Sequence, residues 1–281
     1  MTPICSRCLL LLFLAAAPLR ALSRVVVVGD GQGSSQEVLA GIRDVLPAAG
    51  SVLLKDAATE LAPGDVVVAL GDQAAANAYP SGTPLVIGLL ADPALKLPKQ
   101  SIRVSPLPDA FFLMSKIRDL VPALATLAVF GVADHYQSYI KYLGATGTVT
   151  GTKILSRTVN NPEDLVAALR SLIGHAEALW LTPEPRLLGR ESFKLISDFC
   201  GANKIGLIAP VAGLAKVGAL AGVAPSFREQ GRAAGNAAAG LAAGRSSGGM
   251  VTAVHCQVLI NAAAARSLGL SVGPKMGELV E

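Results

Sequence analysis

Runs of consecutive apolar residues recur along the chain, most of them ending in glycine, aspartate or another turn former, and they constrain the fold more than any other feature. Residues 25–28 read VVVV and residues 66–70 read VVVAL, with no polar position in either. A strand with one wet face alternates polar and apolar residues. An unbroken apolar run predicts a strand covered on both faces, as in a parallel sheet between two layers of helices. A first set of strands is expected at 25–28, 52–55, 66–70 and 85–89, and a second at 127–130, 153–156, 178–181, 205–209 and 219–223. Helices fit between them at 35–46, 73–78, 110–120, 165–173, 189–199 and 227–241. The class is therefore α/β, built as two Rossmann-like βαβ assemblies in tandem.

Two lobes also suit the length, since 281 residues exceed one average domain and 52% hydrophobic residues can fill two cores. Each set of strands ends in an extended Val-x-Pro piece followed by a helix, Val104-Ser105-Pro106 and Val223-Ala224-Pro225. Proline biases the residue before it to extended geometry, so both tripeptides suit crossings between lobes. With a third crossing near Val254, the division is residues 24–104 plus 225–254 for an N-terminal lobe and 105–224 plus 255–281 for a C-terminal lobe. In the last long helix, glycine and alanine at 231–240 are expected to let the helix approach its sheet closely.

Ahead of the first strand, Arg7, an apolar run at 9–17 and the small residues around Ala21-Leu22-Ser23 form the pattern of a removable secretory signal over residues 1–23. Nine apolar residues are too few for a membrane-spanning helix, which takes about 20. The expected location is the bacterial periplasm. Loss of Arg7 and Arg20 with the signal leaves 22 of the 24 basic residues against 20 acidic ones, with no basic cluster, so no nucleic-acid partner is expected. Of the cysteines, only Cys200 and Cys256 remain. Two could form one disulfide, but Cys200 follows Phe193, Ile196 and Phe199 on a helical apolar stripe and reads as core.

In open α/β sheets the loops at the carboxyl ends of the strands line a crevice. The polar residues collect there: Asp30, Gly31 and Gln32 after the first strand, Asp72 and Gln73 after the third, Asp92 after the fourth, Asp134 and His135 after the fifth, and Glu184 after the seventh. Asp30, Asp72 and Asp92 would hold an amine or a polyhydroxylated ligand, with the backbone donors of Gly31 and Gly33 available to an anion. Phe227, Tyr136 and Phe111 are candidates for stacking on it.

The segment FCGANKIGLIAP at 199–210, the helix FREQGRAAG at 227–235 and the closing LINAAAARSLGL at 259–270 resemble the periplasmic substrate-binding proteins of ABC importers. Within that family the likeness is to the type I group that includes aromatic amino acid binders. The resemblance implies the two-lobed type I fold with a three-segment hinge, a monomer, no catalysis, no cofactor and no metal. It implies a small ligand, such as an amino acid or related compound, delivered to an ABC permease in the inner membrane. Gly71-Asp72-Gln73 and Ala91-Asp92-Pro93 match the family's cleft-facing loops. Pro225 departs from the aspartate common at the second crossing.

Three rival readings follow from other features. Gly29-x-Gly31-x-Gly33 after the first strand, with Asp56 near the end of the next, is reminiscent of a dinucleotide-binding enzyme, but Ser34 stands where the third glycine of the fingerprint belongs. A hydrolase lacks support because no Gly-x-Ser-x-Gly elbow is present and the histidines are scattered at 135, 175 and 255. The third is a binding-protein fold turned sensor or accessory subunit, without transport.

Overall fold

The computed structural model describes residues 23–92, 95–98, 101–132, 136–245 and 248–280. The signal expected over residues 1–23 therefore lies, except for Ser23, outside the described residues, as do Asp134 and His135.

The first half opens with β1 (Val25–Gly29), α1 (Ser34–Val45), β2 (Gly50–Leu53), the short α2 (Ala57–Glu60), β3 (Val66–Leu70), the single turn α3 (Asp72–Ala75), β4 (Leu85–Gly88) and β5 (Ile102–Val104). The second half follows with α4 (Ala110–Leu120), β6 (Thr126–Gly131), α5 (Gln137–Thr150), β7 (Lys153–Thr158), α6 (Pro162–Arg170), β8 (Ala178–Leu181), α7 (Pro185–Leu188), α8 (Arg190–Ala202), β9 (Gly206–Ala209) and β10 (Ala221–Ala224). The chain then returns through α9 (Phe227–Ala242) and β11 (Gly249–Val251) before finishing with β12 (Gln257–Asn261), α10 (Ala262–Ser267) and β13 (Glu278–Val280).

Two sheets result, ordered β11-β5-β4-β3-β1-β2 and β13-β12-β10-β9-β8-β6-β7. The first is parallel throughout, and the second departs from parallel only where β12 runs against β10. The all-apolar runs occupy the middle of each sheet. In β1 the odd valines pack with α1 and α9 while Val26 and Val28 pack on the opposite face with Ala57 and Ala74, so the run is covered on both sides. The second sheet is likewise sandwiched. Trp180 at its centre faces α4 and α5, packs against the Tyr139 ring at 5.5 Å between centroids, and is fully buried with its indole N–H unpartnered.

Several expectations shift. The strand expected at 52–55 runs over Gly50–Leu53, because parallel pairing aligns Val26 with Gly50, and Leu54–Asp56 form a 3₁₀ turn. The helix expected at 73–78 closes after one turn. Helix α5, which the sequence reading left out, is a full 14 residues. The glycines of α9 serve a different neighbour from the one expected. A Cβ on Gly231 would sit 2.1 Å from the Val38 carbonyl oxygen, and one on Gly41 would sit 1.9 Å from that of Arg228, so they allow α9 to cross α1. Ala234 and Ala238 are the residues turned to the sheet. At the rim of this crossing Asp44 receives both Arg228 (2.6 Å) and Arg232 (2.9 Å). Arg228 above all holds the Asp44 carboxyl down at about 2.

Candidate functional site

Three chain crossings join the two sheets, and all leave from the same kind of edge. Val104 pairs with Val251 at the carboxyl end of the first sheet, and Ala224 pairs with Gln257 at the carboxyl end of β10 in the second. The carboxyl ends of β1, β3, β4, β6 and β8 therefore lie on the edges from which the crossings leave, which is where a crevice in such sheets lies.

In the first loop, Gly31 and Gly33 take φ of +72° and +50°, conformations costly for residues with a Cβ. Asp30 braces this turn. Its carboxyl is held below the usual range by the Ser35 hydroxyl first and then by the Gln32 N–H at 3.1 Å. The Gln36 side-chain amide donates to the Gly31 carbonyl at 2.9 Å. Asp30, Gly31 and Gln32 are all exposed. A groove of about 710 Å³ opens here, bordered by Gly29, Gly31, Ser35, Leu53 and Leu70, and runs along α1 to Arg43.

Asp72 and Asp92 come together, though not as two equal ligand groups. The Asp72 carboxylate accepts the backbone N–H of Ala91 at 2.9 Å and of Asp92 at 3.2 Å, pinning the loop after β4 to the start of α3. Asp92 stays exposed at that loop, and Gln73 is exposed beside Asp72. Just before the loop, Leu89 sits at φ +56°. Such a backbone in a non-glycine residue costs about 1–3 kcal/mol and survives only where the surroundings impose it.

On the second sheet Glu184 is buried, only 3% exposed, at the start of α7. Its negative charge reaches Tyr136, whose hydroxyl is pushed up to about 12, by burial first and by Glu184 second. Tyr136 is also left-handed, at φ +52°, where it begins α5. Thr182 lies fully buried between them in sequence, its hydroxyl donating to the Phe130 carbonyl at 3.1 Å. Phe227, 41% exposed, is the first residue of α9 directly after the second crossing. Phe111, at the start of α4 after the first crossing, is exposed and meets the Tyr142 ring edge-on at 6.3 Å.

This arrangement presents acids and aromatic rings, the equipment for holding a small molecule. Among the described residues no three metal-binding side chains gather. Cys200 and Cys256 are free, and burial pushes both thiols up to about 12, away from nucleophilic use. The sequence reading missed Ser35 as the partner of Asp30 and Asp72 as a loop fastener. Ser35 was legible as the second of the two serines after the glycine turn, whereas the partners of Asp72 lie 19 and 20 residues away.

Solved structures similar to this one align over nearly their whole length. A substrate-binding protein with adhesive properties from Clostridium difficile, in its ligand-free, open form, superposes with a TM-score of 0.64 at 16% identity, over 92% of this chain and 99% of that one. This chain shares the fold of that protein. An ABC domain in complex with L-Trp from Streptococcus pneumonia gives a TM-score of 0.57 at 16% identity, covering 92% of this chain and 100% of that one. A conserved domain protein from Vibrio cholerae gives 0.58 at 16%, covering 93% and 100%. No protein-family model and no curated protein matches the chain.

The glycines after β1 need no dinucleotide to explain them. They shape a turn that Asp30, Ser35 and Gln36 close from inside. No helix among the described residues is long and apolar enough to cross a membrane.

Proposed function

We propose that the protein is an exported solute-binding protein of the periplasm. It captures a small molecule between a lobe formed by residues 24–104 plus 225–254 and a lobe formed by 105–224 plus 255–281, and delivers it to an ABC importer without transforming it. The supporting observation is positional: Asp30, Asp92 and Glu184 follow carboxyl strand ends on the edges of both sheets from which the chain crossings leave. Asp134 and His135 belong to the same set by sequence.

In this reading ligand bridges the two lobes, and the closed state gains population by the difference in affinity between closed and open forms. Asp92 and Glu184 take the cationic or hydroxyl end of the ligand, and Tyr136 and Phe227 its apolar body. An amino acid fits these groups, and the L-Trp complex of a protein of the same fold supports that choice. A thermal-shift screen of amino acids, nucleosides and sugars tests it. One ligand is expected to raise Tm in the parent, with the shift lost in Asp92→Ala, and small-angle scattering is expected to show compaction. No stabilising ligand, or a shift unchanged in Asp92→Ala, would overturn the assignment.

A further inference from the structure

Three of the four tyrosines lie one helical turn apart on one element, Tyr136 at the start of α5 and Tyr139 and Tyr142 within it. Tyr139 and Tyr142, three residues apart, lie along one side of the helix, and Tyr136, its cap, packs against the same core as Tyr139. They span the distance between two functional regions. Tyr136 is partly buried and within reach of the Glu184 charge. The Tyr139 hydroxyl donates to the Pro108 carbonyl at 2.8 Å, inside the first crossing, while its ring lies on Trp180. The Tyr142 hydroxyl reaches Asp109 at 3.4 Å, and Asp109 caps α4 by accepting the N–H groups of Phe111 and Phe112.

The same crossing is tied to the other sheet at its beginning. The Ser105 N–H donates to the Val251 carbonyl at 2.8 Å, continuing the β5–β11 pairing. Leu107, 1% exposed, is already embedded with α4 and β6 in the second core. Only the Ser105-Pro106 step separates the two attachments.

We infer that Tyr139 is a positioning residue of the hinge: it clamps Pro108 to α5, confines motion of the first crossing to Ser105-Pro106, and makes α5 the element through which occupancy at Tyr136 and Glu184 is felt there. This rests on reading the crossings as a hinge, so its test is made without ligand. Tyr139→Phe keeps the ring on Trp180 and removes only the hydroxyl. Ile117→Val, in the same core but away from the crossing, supplies a control for general loss of stability.

Hydrogen exchange resolved at Leu107 and Asp109 is expected to run about fivefold faster in Tyr139→Phe, the effect of losing one ordinary hydrogen bond. Spin labels on Gln73→Cys and Glu191→Cys, in a Cys256→Ser background, are expected to give a broader distance distribution than in the parent. Ile117→Val should leave both readouts unchanged. Unaltered exchange and distances in folded Tyr139→Phe, or the same changes in Ile117→Val, would overturn the inference. Failure of the solute screen would leave these ligand-free results standing, so the two ideas fail separately.

Discussion

Helices α1 and α9 on the first sheet and α4 and α5 on the second solve the same packing problem in opposite ways. The first pair meets backbone to backbone, through Gly41 and Gly231, with charges at the rim. The second meets through large side chains: Leu113, Met114 and Ile117 from α4 with Leu143 from α5, beside the α5 tyrosines. A backbone contact has no side chain that can move aside, so α9 is held closely against α1. Side-chain contacts can be loosened one group at a time, which leaves the second pair adjustable next to the first crossing.

The largest expected effect comes from opening the side-chain-packed pair. Ile117→Ala removes a fully buried residue and should cost about 2–5 kcal/mol in urea unfolding. Gly231→Ala strikes the backbone contact and should cost about 1–3 kcal/mol even though alanine favours helix. Gly240→Ala in the same helix has open space around it and should gain about 0.5–1 kcal/mol, which isolates the clash from propensity. If Gly231→Ala also stabilised, the contrast between the two pairs would collapse.

A smaller effect is expected at the site. Asp72→Ala frees the N–H groups of Ala91 and Asp92, costing about 0.5–1.5 kcal/mol and raising exchange at those two amides. The smallest concerns the ionic rim. Asp44 has a folded pKa of about 2, below the usual carboxylate range, so its contribution is present near neutrality and disappears as pH falls from about 4 through about 2. The acid limb of a stability–pH curve should flatten in Asp44→Asn, and salt should weaken the parent's advantage.

What was readable in the sequence follows the same contrast between local and distant causes. Strands such as Val66–Leu70 and Ala178–Leu181 were legible because burial on both faces writes itself into consecutive residues. Helix α5 was not. Its second half, Gly144-Ala145-Thr146-Gly147-Thr148-Val149-Thr150, is poor in helix formers, and the helix is held by burial of Leu143, Thr146 and Gly147. Gly147 lies so close to β7 that a Cβ would come within 2.5 Å of the Thr152 carbonyl oxygen. At the site, strand-end position could be inferred for Asp72 and Glu184. That one fastens a neighbouring loop while the other is buried beside Tyr136 depends on partners remote in sequence.

The lone tryptophan turns the second core into its own optical gauge. Trp180 is sealed from water with its N–H unbonded, so its emission should lie to the blue and report a single environment. Its neighbour Tyr139 touches the first crossing, so a rearrangement there changes the surroundings of the only indole in the chain, and opening can be followed by light without attaching a label.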